Sequence, residues 1–184
     1  MGRLPNFDPI KNGEHSGLIL NPTYVKLMVP KIGITSENLA SVAHKLSSIL
    51  ADEFVLCTKT RRSHWNVEGP DFHSKHLFFE SQYKQLDEIV DSVAERIRSL
   101  GHYTPATLKN FLELTHLSEV VHEKNDGSGF IRELLNDHES VTIKLRELAG
   151  EFANELMDAG TSDFVTGLME THEKIAWMLR AHLN

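Results

Sequence analysis

From about residue 36 onward the apolar residues recur at three-and-four spacing, the period that turns one stripe of a helix toward a core. Leu39, Val42, Leu46, Ile49, Leu50, Phe54 and Cys57 mark a first helix over about 36–64. Gly69 and Pro70 then interrupt the pattern, since both end helices readily. A second helix, over about 71–100, carries the cleanest repeat. Its apolar positions Phe79, Tyr83, Leu86, Val90, Val93, Ile97 and Leu100 step 4-3-4-3-4-3, the narrow seam of a packed bundle helix. Gly101 stops it, and Arg96 and Arg98 occupy its last turn, where cations complement the helix dipole. A connection of about 26 residues follows, with a short helix expected at about 107–115. Gly127, Ser128 and Gly129 open a third helix over about 130–157, with Ile131, Leu134, His138, Val141, Leu145, Leu148 and Phe152 in phase. After a short turn, a fourth runs over about 162–182 with Phe164, Leu168, Ile175 and Leu179. Two short turns and one long middle connection predict an all-α four-helix bundle with a single crossover and a short helix inside it. There is no alternating strand pattern and no internal repeat.

The N-terminal stretch breaks this regularity. Residues 1–34 hold four of the six prolines and four of the eleven glycines, which predicts an irregular arm ahead of a bundle domain over 35–184. A chain of 184 residues is ample for one such core. Its 26 acidic against 19 basic residues give a formal charge of -7, a field that attracts cations and disfavours nucleic acid. The single cysteine, Cys57, excludes an intramolecular disulfide and fits a reducing cytosol. No basic segment leads into an apolar secretory core and no run approaches 18 apolar residues, so a cytoplasmic protein without a membrane span is expected. Eleven histidines are the one unusual count, and they point toward metal.

Five residues carry that pointer: His64, His76, Glu80, Asp91 and Glu95. His76 and Glu80 are four apart and share a helix face, as do Asp91 and Glu95. His64 ends the first helix and His76 follows soon after the turn, so an antiparallel pair brings them close. Imidazole and carboxylate together suit iron or zinc. His76 and Asp91, however, lie 15 residues apart on one helix, about 22 Å along its axis. Metal–ligand bonds of about 2 Å cannot span that. Within one chain these are two half-sites, and they share a metal only if a second copy packs across a two-fold axis, which makes two equivalent sites. The same residues also read as a solvated helix flank (Asp91, Glu95, with Asp87 in the same row) and a hydrogen-bonded core histidine (His76).

The stretch His64, Trp65, Asn66, Gly69 and Phe72 closely resembles the HWNxxGxxF stretch of the Dps mini-ferritins. Further matches follow in register at His76, at Asp91 to Ile97 and at Leu100 and Gly101, and the resemblance covers about 36–183. It implies a ferritin-like bundle assembled into a hollow shell of twelve subunits. It implies, too, a ferroxidase: His64 and His76 from one subunit would hold iron with Asp91 and Glu95 of its two-fold mate. Glu80 matches an acid near the second iron position, and zinc is a further occupant of the same donor set. Trp65 matches a tryptophan linked to electron transfer, though it serves equally as a packing residue. The implied chemistry is oxidation of Fe(II), with hydrogen peroxide preferred over oxygen, and storage of ferric mineral, which protects against oxidative stress. Asp163, Asp158 and Glu155 are candidates for acids lining an entry pore, or simply helix-end charges.

The alternative reading is a DNA-binding, nucleoid-protecting protein in which ferroxidase activity is secondary. Here the sequence departs from the family members that bind DNA through a basic tail. The arm offers Arg3, Lys11, Lys26 and Lys31 against Asp8 and Glu14, which is sparse for neutralising phosphates. A metal site inside one bundle would need Glu-x-x-His pairs on the long helices. The pairs present, Glu113 with His116 and Glu119 with His122, fall in the middle connection. A non-catalytic shell is a third reading, which the full ligand set argues against. His138 and His172 lie in core phase, as hydrogen-bonded core histidines or as a secondary metal site.

Overall fold

A computed structural model describes residues 30–119 and 126–183. Five helices follow in order: α1 Ser36–Asn66, α2 Phe72–Ser99, α3 Leu108–Leu114, α4 Gly127–Asn154 and α5 Ala159–Ala181. Among the described residues there is no strand, only an isolated bridge between Glu68 and Asp126. Among the described residues no helix is long and apolar enough to cross a membrane. Of the arm, residues 1–29 lie outside the described residues, as does His122.

The periodic positions turn inward as their spacing predicts. Leu39, Val42, Leu46, Phe79, Leu86, Val93, Ile131, Leu145, Phe152 and Leu179 are at most 1% exposed and form one continuous core. α1 and α2 make one antiparallel hairpin, and α4 and α5 make the other. The hairpins join along α1 and α4, where Lys45 pairs with Glu151 and Lys59 with Asp137, and along α2 and α5, where Arg96 reaches Thr161.

Where the helices differ from the sequence expectation, capping explains the shift. α4 starts at Gly127, not near 130, because the Asp126 side chain accepts the Gly129 N–H at 2.6 Å, and two early glycines are no obstacle to a capped first turn. α5 starts at Ala159, not near 162, because Asp158 accepts from the Thr161 N–H at 2.9 Å. The preceding helix stops short at Asn154, and the chain reverses through Met157 at φ 56, the left-handed region that glycine favours. α1 runs on to Asn66, which places Trp65 on the helix itself.

The middle connection is tied down by one carboxylate. Asp52 is 1% exposed, and it accepts from Thr115 Oγ1 (2.8 Å), the His116 N–H (2.9 Å), His116 Nδ1 (2.8 Å) and Lys144 Nζ (2.6 Å). Phe111 of α3 stacks on Phe54 of α1 with ring centres 4.4 Å apart. Thus α3 and the segment after it are held against α1 while the chain crosses to α4.

Candidate metal centre

The turn between α1 and α2 builds the first half of the site. Gly69 takes φ 115, which few other residues adopt, and the Phe72 N–H closes the turn on the Gly69 carbonyl at 3.0 Å. This brings the His64 and His76 rings face to face, with centroids 3.8 Å apart and planes 26° from parallel. Each ring then bonds the other's backbone: His64 Nδ1 lies 2.9 Å from the His76 carbonyl oxygen, and His76 Nδ1 lies 2.9 Å from that of His64. A carbonyl only accepts, so both Nδ1 atoms carry the proton. In the neutral rings both Nε2 atoms therefore hold a free lone pair, the tautomer a metal ligand needs. The rings cross-brace each other, so two donors are pre-oriented before any ion arrives.

Around them, the Tyr83 ring meets His64 edge-on at 5.2 Å, and Phe72 lies 5.1 Å from His76. His64 is buried and His76 half-buried. Glu80 sits one turn beyond His76, with Lys84 Nζ 2.6 Å from its Oε1. The Lys84 ammonium bonded to it holds the Glu80 carboxyl below the usual carboxylate range, so it is an anion at neutral pH. Imidazole nitrogen with carboxylate oxygen is a donor set that accepts Fe(II) or Zn(II).

Asp91 and Glu95 lie elsewhere. Both are exposed on α2, and the helix rise puts Asp91 about 22 Å and Glu95 about 28 Å from His76 along the axis. The structure does not bring them to the two histidines. Among the described residues, no three histidine, cysteine or acidic side chains form a group able to hold a metal. On the same hairpin Trp65, Phe72 and Leu77 are 69%, 46% and 48% exposed.

Other candidates resolve differently. Asp158 is 2% exposed and caps α5, with Arg96 and Thr161 as partners, so it is a helix cap and not a pore-lining acid. Asp163 and Glu155 are exposed. His116 of the Glu113 pair is committed to Asp52 and Ser140, and Glu113 itself pairs with Lys109. His138 and His172 are fully buried and hydrogen-bonded to each other through their Nδ1 atoms at 2.8 Å. His172 Nε2 in turn meets Glu53 Oε1 at 2.9 Å. Sequence reasoning missed Glu53, although the signal existed: it falls on the apolar phase of α1 between Leu50 and Cys57.

Comparison with known proteins agrees with this architecture. Residues 43–184 match the ferritin-like domain family model. A DNA protection during starvation protein of Bacillus anthracis is 36% identical over 143 residues, covering 78% of this chain and 97% of the relative. An uncharacterised low temperature-induced protein of Nostoc is 41% identical over 152 residues, covering 83% and 85%. The crystal structure of a Dps protein from Vibrio cholerae, described as a member of a broad superfamily of ferritin-like diiron-carboxylate proteins, superposes with a TM-score of 0.79 at 29% identity, over 85% of this chain and 98% of that one. With its crossover bundle and the His64-Trp65-Asn66 end of α1, the chain belongs to the Dps branch of the ferritin-like proteins.

Proposed function

We propose that this protein oxidises Fe(II) at centres shared between two subunits and stores the ferric product inside a hollow shell of twelve. The observation that carries this reading is the mutual Nδ1 lock of His64 and His76. It leaves two imidazole Nε2 lone pairs free while the acids Asp91 and Glu95 stand exposed about 22 and 28 Å away along α2. A two-fold pairing of α2 helices joins the halves into two complete sites. In each, His64 and His76 bind Fe(II) in neutral form, and Asp91 and Glu95 of the mate supply the negative charge that favours the ferric product. Glu80, already anionic, is placed for a second iron. Hydrogen peroxide is the preferred oxidant: two Fe(II) give up two electrons, and the peroxide takes two protons to leave two waters. Trp65, at the exposed end of α1, is a route for an electron between iron and oxidant. Consuming iron and peroxide together protects against oxidative stress, and the net charge of -7 suits cation uptake.

DNA protection, which the names of the relatives record for those proteins, is the second reading. The sparse arm does not favour it, and a gel-shift titration at low and physiological salt separates the two.

The test of the main reading is stopped-flow oxidation of Fe(II) by the intact protein, with peroxide or with oxygen. The expected result is oxidation well above the protein-free rate, fastest with peroxide. Rates equal to the protein-free control would refute it.

A further inference from the structure

The core holds a chain of hydrogen bonds that the iron chemistry leaves unused. Glu53 of α1, His172 of α5 and His138 of α4 are all 0% exposed, and they link in a line through contacts of 2.9 and 2.8 Å. Geometry fixes the proton inventory of this line. The Nδ1 to Nδ1 contact needs one donor and one acceptor, so the two imidazoles share a single proton there. With Glu53 as a carboxylate, His172 Nε2–H donates to it. His172 Nδ1 then accepts from His138 Nδ1–H, and all three residues are paired with no cation in the core. Two buried atoms of the line remain without a partner, Glu53 Oε2 and His138 Nε2, and of these His138 Nε2 is the free imidazole nitrogen. As a bare lone pair it is tolerable. Protonated, it would place both a positive charge and an unpaired donor at a fully buried position.

We propose that this line is a one-proton latch: it ties α1, α4 and α5 together while His138 Nε2 is bare, and mild acid, by loading that atom, opens the subunit core. A shell built from such subunits would loosen with it. The groups around the latch support this reading. From α1 the facing charge is Glu53, already bonded to His172. Lys59, on the same helix, is engaged by Asp137 and Glu133 of α4. α2 contributes Gln82 as its one buried polar residue, and it is uncharged. α5 contributes His172. None of these supplies an anion next to His138 that would welcome a proton there. Burial first, and His172 second, push the His138 imidazole well below its ordinary 6.5.

The sign follows from linkage. The folded chain binds the His138 proton more weakly than the unfolded chain does. The contribution is therefore fully present above about pH 6.5 and is lost as the pH falls below it, toward the lowered folded value. One proton per subunit changes the folded-to-unfolded ratio about tenfold per pH unit. Asp137 acts in the opposite direction, because burial raises its carboxyl and the folded chain holds that proton more tightly, so it damps the loss at lower pH.

The test is thermal unfolding of the whole protein between pH 8 and pH 5, for wild type, His138→Leu and His138→Gln. The glutamine variant keeps a hydrogen bond toward His172 but does not titrate. Wild type should lose about 3–5 °C per pH unit below pH 6.5, and both variants should lose most of that slope. Iron oxidation is not read, so failure of the latch and failure of the ferroxidase reading are distinguishable. A flat wild-type profile would overturn the proposal, and so would an unchanged slope in whichever variant folds.

Discussion

Replacing His64 by alanine, or Asp91 and Glu95 together by alanine, abolishes rapid peroxide-driven Fe(II) oxidation while the oligomer persists. The loss should exceed the 10–100-fold typical of residues one shell removed from a metal, since these side chains are the proposed ligands themselves. The two variants lose activity by different routes. His64→Ala removes one imidazole and also the Nδ1 bond to the His76 carbonyl, so the remaining ring is no longer braced. The acidic double variant leaves both rings locked and removes the charge that would meet them from the other subunit. His64 lies at the end of α1 and Asp91 and Glu95 are exposed, so neither change removes an apolar core side chain, and light scattering should report the wild-type size for both. Wild-type stopped-flow rates in either variant would remove these residues from the site.

The largest effect on stability should come from Asp52→Ala. Four donors converge on this 1% exposed carboxylate, and three of them come from the segment that follows α3. Removing it leaves the Lys144 ammonium, the His116 N–H and the Thr115 hydroxyl without their acceptor. Breaking a buried pair from one side costs about 3–5 kcal/mol. Lys144 is 23% exposed and can turn toward water, so about 3 kcal/mol is the expected loss. At roughly 2–4 °C per kcal/mol, the melting midpoint should fall by about 6–12 °C. Asp52→Asn keeps an acceptor and should lie between. A melting temperature unchanged by Asp52→Ala would mean that the middle connection is held by the Phe54 and Phe111 stack and its neighbours instead.

Much of this architecture was legible because a bundle writes its core into a short-range period. Leu86, Val93 and Ile97 announce a buried stripe without knowledge of what covers it, and Gly69 with Pro70 announces the turn. The distance between His76 and Asp91 was equally legible, since the rise of a helix converts residue number into length. Three features were not. The helix starts at Gly127 and Ala159 depend on which aspartate caps, and Asp126 and Asp158 are two of many acids in this chain. The Asp52 cluster joins positions 52, 115, 116 and 144, and no local pattern couples them. Glu53 lay in plain phase but was hidden by its charge, because an acid on an apolar stripe makes sense only once His172 is seen 2.9 Å away. The reciprocal Nδ1 bonds of His64 and His76 belong to the same class: the sequence places two histidines near each other, and only the backbone of a tight turn decides which nitrogen each one offers.

The most direct test of the shared site is complementation between two inactive chains. One carries His64→Ala with His76→Ala and the other Asp91→Ala with Glu95→Ala. The two are co-assembled in equal amounts, and Fe(II) oxidation is followed with peroxide. Half of randomly formed two-fold pairs are mixed, and each mixed pair contains one site with all four ligands, so the co-assembled protein should recover about a quarter of the wild-type rate. If each site lay within a single chain, every site would stay incomplete, and activity no higher than that of the two separate variants would contradict the account.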